Sequence, residues 1–207
     1  MRRRTGDYPA AAQLLEEALG IYRDLRGRRG QAAALSILGA VRLWTGDYPT
    51  AARLLEEALG IARDLGDRLN QANALLGLGD GRRLTGDYPA AARDLEEALG
   101  IVRDLGDRGG EVLVVNERGT LHRVSGELAL AEGCHTRALE LAREIGSAWD
   151  EAHALAGLGR CALAAGDATR AGILLLQALE IFQRIGAAET ADLRAELDAL
   201  TGPPPGP

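Results

Sequence analysis

Residues 45–65 read TGDYPTAARLLEEALGIARDL, and residues 85–105 read TGDYPAAARDLEEALGIVRDL. The two strings differ only at Thr50/Ala90, Leu54/Asp94 and Ala62/Val102, so 18 of 21 positions match. The leading motif TGDYP also stands at residues 5–9, which sets a period of 40 residues. Weaker copies follow in the same phase, Ser125-Gly126-Glu127-Leu128 and Ala165-Gly166-Asp167-Ala168. Five copies in one register mark an array of stacked supersecondary units rather than a single closed core.

Within a unit the apolar spacing is helical twice over. A first helix is expected over about 70–84, with Asp67 as N-cap and a break at Gly86. A second starts near Asp87-Tyr88-Pro89, where proline is tolerated because a first-turn N–H has no partner to lose. Ala91, Leu95, Ala98 and Val102 then recur at helical spacing and Gly106 ends the run. Neither helix can bury its apolar stripe alone, so neighbours must stack into a one-dimensional solenoid. Gly39, Gly79, Gly119 and Gly159 share one register position, and Ala51, Ala91, Ala131 and Ala171 another. A glycine inside a helix costs roughly 0.5–1 kcal/mol against alanine, so four in register predict close approach of backbones.

Composition agrees. Of 207 residues, 46% are hydrophobic but only 3% aromatic, with 27 glycines and one phenylalanine. Close packing of Ala- and Leu-rich helices replaces large aromatic side chains. All 24 basic residues are arginine, set against 30 acids for a net charge of −6. This argues against a nucleic-acid backbone as the partner, since that footprint is basic. No apolar run approaches a membrane span, and the arginines at positions 2–4 lead into no apolar signal core. Two cysteines, Cys134 and Cys161, make no disulfide framework. A cytoplasmic, all-α protein is the expectation.

The residue pattern resembles the tetratricopeptide repeat (TPR) family. The third unit carries Leu75, Leu78-Gly79, Gly86, Tyr88, Ala91, Leu95 and Ala98 in that family's spacing. The second carries Leu35, Leu38-Gly39, Gly46, Tyr48, Ala51, Leu55 and Ala58, and the fifth Leu155, Leu158-Gly159, Gly166, Ala171, Leu175 and Ala178. The fourth is looser, with Val115, Gly119, Gly126, Ala131 and Ala138. The resemblance implies a right-handed superhelical solenoid of antiparallel helix pairs. The usual unit is about 34 residues; here the extra residues, 61–66 for example, read as an extension of the second helix. That makes the chain similar to the longer repeats of kinesin light chain and the Pins/Rapsyn adaptors, and to sensor arrays of bacterial signal-transduction ATPases. Where the family places an aromatic midway in the first helix, this chain has Arg42, Arg82, His122 or Ala162.

The expected organisation is a partial first repeat over residues 1–28, containing only a second helix. Four repeats follow at 29–68, 69–108, 109–148 and 149–186, then a capping helix at 187–200 and a Pro/Gly-rich disordered tail at 201–207. Glu189, Asp192, Glu196 and Asp198 are expected to face water on the cap. The first helix, over residues 9–25, lacks a preceding element, so Leu14, Leu15 and Leu19 are candidates for self-association. The charge gradient supports the same idea, running from +3 over residues 1–30 through −3 over 31–126 to −6 over 127–207.

The family binds peptides or partner helices along the groove lined by the first helices. Carried over by register, that groove comprises Ser36, Ala40 and Trp44 in the second unit, and Asn73, Asp80 and Arg83 in the third. The fourth supplies Asn116, Glu117, Thr120 and Arg123, and the fifth His153 and Arg160. Arg83, Arg123 and Arg160 recur along one side and could grip an acidic peptide, since guanidinium forks match carboxylates; the alternative is that they pair with Asp80 and Glu117, or are merely solvated. The lysine-based carboxylate clamp of the family is not matched. Trp44 is either an interface anchor or a filler of a wide gap, and Trp149 a packing residue or a contact.

Catalysis and metal binding find no support. The acidic pairs Glu16-Glu17, Glu56-Glu57 and Glu96-Glu97 recur unit after unit, as a solvated helix face does, whereas catalysis needs an asymmetric constellation. His122 and His135 read as core residues, and with the two cysteines they offer no close ligand pair. No cofactor is expected. The sequence thus describes a non-catalytic scaffold for a protein or peptide partner in a bacterial regulatory or signalling protein, the arginine-only, Ala/Gly-rich composition fitting a GC-rich bacterial source. A ligand- or signalling-peptide-sensing regulator domain and a self-assembling array are the rival readings.

Overall fold

The computed structural model describes residues 8–201, and all of its regular structure is helical. Ten helices follow one another: α1 (Tyr8–Asp24), α2 (Arg28–Thr45), α3 (Tyr48–Asp64), α4 (Arg68–Thr85), α5 (Tyr88–Asp104), α6 (Arg108–Val124), α7 (Leu128–Glu144), α8 (Ala148–Ala164), α9 (Ala168–Ile185) and α10 (Thr190–Thr201). Two compact units divide within α6, one ending at Val114 and the other beginning at Val115. In the first unit each helix from α1 to α4 packs on its successor, and α2 also meets α4. In the second, α7 packs on α8, α8 on α9 and α9 on α10. The helices are joined by tight turns, so consecutive ones run antiparallel.

The turns explain the 40-residue period. Left-handed residues fall every 20 positions, from Gly46 (φ 83°) and Gly66 (φ 64°) through to Gly186 (φ 66°). Each unit is therefore two halves of equal length, a helix of 17 or 18 residues plus its turn. At residue 26 the same conformation is taken by Arg26, φ 52°, the one positive-φ residue in the described chain that is not glycine. N-caps are regular too. Asp47, Asp67, Asp87 and Asp167 each accept from the N–H three residues on, and Ser147 accepts from Asp150 N–H. These bonds satisfy donors that a helix start leaves open.

The glycine register has the cause the sequence suggested. A Cβ on Gly39 would lie 2.6 Å from Leu55 Cγ, one on Gly79 2.7 Å from Leu95, and one on Gly159 2.8 Å from Leu175. Leu55, Leu95 and Leu175 are at most 1% exposed, and the alanines at 51, 91, 131 and 171 are wholly buried. In the fourth unit the leucine is replaced by His135, whose ring presses on Gly119 and Gly157.

Three expectations are corrected. The cap helix starts at Thr190, not 187, because left-handed Gly186 ends α9 and Thr190 Oγ1 donates to Ala187 O at 2.7 Å. Leu19 is buried against α2 and is unavailable to a partner, whereas Leu14 is 65% exposed and Leu15 half-buried. His122 is not a core residue: it is half-buried, with Nδ1 2.7 Å from Glu127 Oε2. Residues 1–7 and the tail beyond Thr201 lie outside the described residues.

Candidate functional site

In the N-terminal unit the first helices α2 and α4 lie side by side, and a Cβ on Gly81 would sit 3.1 Å from Leu43 Cδ2. Along α2, Ile37 is 54% and Trp44 44% exposed, one either side of half-buried Ala40. The Trp44 ring lies 5.6 Å from that of Tyr8. Ser36 is buried with an Oγ that has no hydrogen-bond partner, and so cannot contact a partner directly. On α4, Asn73 and Leu84 are exposed. Arg83 donates to Asp80 one turn before it, and its side chain is only 11% exposed. The pairing with Asp80 weighed for this arginine is thus present.

The C-terminal unit presents a polar surface. Asn116 Oδ1 accepts from His135 Nδ1 at 2.7 Å, and Thr120 Oγ1 donates to the Asn116 carbonyl at 3.3 Å. Glu117 and Arg123 are half-buried on the same helix. Burial, with the charges of Arg123 and Arg160 nearby, pushes the His135 imidazole down to about 4, so it is neutral at ordinary pH. Its Nε2 has no hydrogen-bond partner. On α8, His153 stacks on Trp149 at 3.8 Å and meets Phe182 edge-on at 4.9 Å. Arg160 makes a bidentate pair with Glu196 of α10, Nε to Oε1 at 3.0 Å and Nη2 to Oε2 at 2.8 Å. The cap is thus not wholly solvating: Glu189 and Glu196 turn onto α8 at 3.7 Å from His153 and 2.8 Å from Arg160, which corrects their expected exposure to water.

Sequence reading missed the pairings that replace the family's mid-helix aromatic. Arg42 Nη2 reaches Glu16 at 2.6 Å, Arg82 donates to buried Asp94, and His122 meets Glu127. Burial holds Asp94 above the usual carboxylate range, outweighing the Arg82 charge beside it. The signal was present in Leu54/Asp94, an acid appearing at a core position exactly one unit on from a leucine and one turn from arginine's reach. Among the described residues no three metal-capable side chains cluster, and no helix is long and apolar enough to cross a membrane. Cys161 is buried and Cys134 half-buried, and burial raises both thiols, so neither is an activated nucleophile.

Comparison with known proteins agrees with this architecture. The fold is similar to that of a Rap protein complexed with competence and sporulation factor, at 16% identity and a TM-score of 0.76, over 84% of this chain and 48% of that one. It is similar to a signal-transduction ATPase with a tetratricopeptide repeat sensor from Pyrococcus horikoshii, at 19% identity and a TM-score of 0.70, over 94% of this chain and 30% of that one. A kinesin light chain from Podosopora anserina with nearly identical TPR-like repeats gives 18% identity and a TM-score of 0.60, over 87% of this chain and 89% of that one. No curated protein matches the sequence. The tetratricopeptide repeat family model matches residues 30–104 and 111–184, most of the chain. The chain belongs to the tetratricopeptide repeat family.

Proposed function

We propose that the chain is a non-catalytic scaffold that binds a protein or peptide partner through the faces of its first helices, as part of a bacterial regulatory protein. One observation carries this reading. Glycine repeats at 39, 79, 119 and 159, while first-helix positions beside it change in every unit: Ala40, Asp80, Thr120 and Arg160, or Trp44, Leu84, Val124 and Ala164. Variation beside an invariant packing position is what a surface selected for recognition shows, and exposed Trp44 supplies an anchor of the kind that dominates interfaces. The test is affinity capture from the source lysate followed by titration of the captured partner. Trp44→Ala is expected to weaken binding roughly tenfold or more with helicity unchanged; Arg83→Ala, whose charge Asp80 already neutralises, is expected to weaken it less. Unaltered binding by both variants sinks the assignment.

A second reading is supported by the likeness to the Rap protein complexed with competence and sporulation factor and to the ATPase sensor: a regulator domain that changes shape on binding a ligand or signalling peptide. It predicts a ligand-dependent rise in melting temperature and a smaller solution radius. Self-association is a further proposed contact, through Leu14 and Ile21 of α1 and Leu25 just beyond it, which are 65%, 58% and 73% exposed. Light scattering of the wild type against Leu14→Glu checks it, with a monomer at micromolar concentration for both as the adverse outcome.

A further inference from the structure

Helices α1 and α3 differ at only three positions, Ala10/Thr50, Gln13/Arg53 and Tyr22/Ala62, yet one stripe is open on α1 and closed on α3. Leu14 is 65% exposed where Leu54 is 5%, and Leu15 is half-buried where Leu55 is 1%. Ala18 is half-buried where Ala58 is wholly buried, and Ile21 is exposed where Ile61 is half-buried. These residues are the same in both helices, so the difference comes from their neighbours. Among the described residues α1 packs on α2 alone, whereas α3 packs on α2 and on α4. One period of 40 residues separates α1 from α3 and α2 from α4, so α2 stands to α1 as α4 stands to α3. What α3 has in addition is the helix before it. The stripe open on α1 is therefore the one that α3 gives to α2.

The contacts between α2 and α3 define what fits there. Gly39 makes room for Leu55, since a Cβ on it would lie 2.6 Å from Leu55 Cγ. Arg28, the first residue of α2, donates to Asp64 at 2.8 Å. On α1 the same two places are held by Leu15 and Asp24. A matching helix carries an arginine in its first turn and a glycine at the point of closest approach, with leucines beside it as Leu35 and Leu38 stand in α2. A second copy of the chain has no such helix to spare. Gly39, Gly79 and Gly159 each already face a leucine of their own chain. Two copies meeting at Leu14 would cover apolar surface but leave the place of the glycine unfilled.

We infer that α1 is a docking face for an α2-type helix supplied by another polypeptide, laid antiparallel along Leu14, Ala18 and Ile21. Recognition of this kind lays one apolar helix face into a groove, and here Leu15 sets the specificity by admitting only glycine opposite it. The inference concerns the residues proposed above for self-association but assigns them a different occupant. It stands whether or not the first-helix faces bind a peptide.

The probe is a dye-labelled peptide of residues 28–47, titrated into the full chain and followed by fluorescence anisotropy. A staple between positions 33 and 37 keeps it helical, on a face where Ala33 is half-buried and Ile37 exposed. Saturable one-to-one binding is expected. Leu14→Glu in the full chain should weaken it about tenfold or more, and exposure of that side chain leaves the fold intact, as circular dichroism would show. Gly39→Leu in the peptide should weaken it as much, which a merely greasy contact would not do. No saturable binding, or binding indifferent to both changes, overturns the inference. Light scattering of the chain alone separates the other occupant. A dimer that Leu14→Glu dissociates and the peptide does not would give the face to a second copy and overturn the inference, whereas a monomer that binds the peptide upholds it and removes self-association.

Discussion

Leu55, Leu95 and Leu175 each rest on a glycine of the preceding helix, and the tolerance there is under one methyl group. Gly79→Ala gains helix propensity of up to about 1 kcal/mol, but its Cβ would sit 2.7 Å from Leu95 Cγ. Overpacking of this kind costs about 1–3 kcal/mol, so a net fall in melting temperature is expected; a rise would show that Leu95 moves aside freely. His135 fills the equivalent notch with a polar ring. Its folded value of about 4 lies below the unfolded 6.5. Its contribution is therefore complete above pH 6.5 and declines as pH falls toward 4, by about 3 kcal/mol in all. His135→Leu should remove that acid sensitivity from the C-terminal unit, as read by unfolding at pH 7 and pH 4.5. The burial of His135 was legible from its register with Leu95. That His122 turns to Glu127 was not, because register fixes which face a side chain leaves from and not which rotamer it takes.

Among the elements, the loop between α1 and α2 departs most from its counterparts. Arg26 holds the left-handed conformation that glycine holds at residues 66, 106, 146 and 186, and Gly27 gives α2 no side-chain cap where Asp67 caps α4. A left-handed non-glycine residue costs roughly 1–2 kcal/mol, part of which a glycine returns in unfolded-chain entropy. Arg26→Gly is therefore expected to stabilise by up to about 1 kcal/mol, visible as a higher denaturant midpoint. The contrary change is Asp67→Ala. Partial burial pushes the Asp67 carboxyl up, but bonds from Asn70 N–H, the Asn70 amide and Arg29 outweigh it and hold it below the usual range. Losing all three should cost about 1–2 kcal/mol, more than Asp167→Ala, which gives up a cap alone; equal losses would mean the Arg29 contact is idle. Helix limits were legible to within a few residues because caps, prolines and glycines repeat. The start of α10 was not, since Ala187, Ala188 and Glu189 carry no stop signal.

Across the molecule the ion pairs repeat with the sequence. Arg23 reaches Glu57 and Arg63 reaches Glu97; Arg28 meets Asp64 and Arg68 meets Asp104. Each is exposed and worth under about 1 kcal/mol, and salt screens them. Moving from low salt to 1 M sodium chloride should lower the melting temperature of the wild type, and by less in Glu57→Gln plus Glu97→Gln. The architecture was legible from period and register; the partnerships spanning 26 to 38 residues, such as Arg42 with Glu16 or Arg160 with Glu196, were not, because many carboxylates share each face. Near-identity has one more consequence. Helices α3 and α5 differ at only three positions, so the surface of α2 can hardly tell them apart. What selects α3 is proximity, the two-residue turn at Gly46 and Asp47 giving it a far higher effective concentration than any rival. Lengthening that turn with a flexible insert would dissolve the preference, and exchange of α3 between chains, a domain-swapped dimer, should then appear at high concentration.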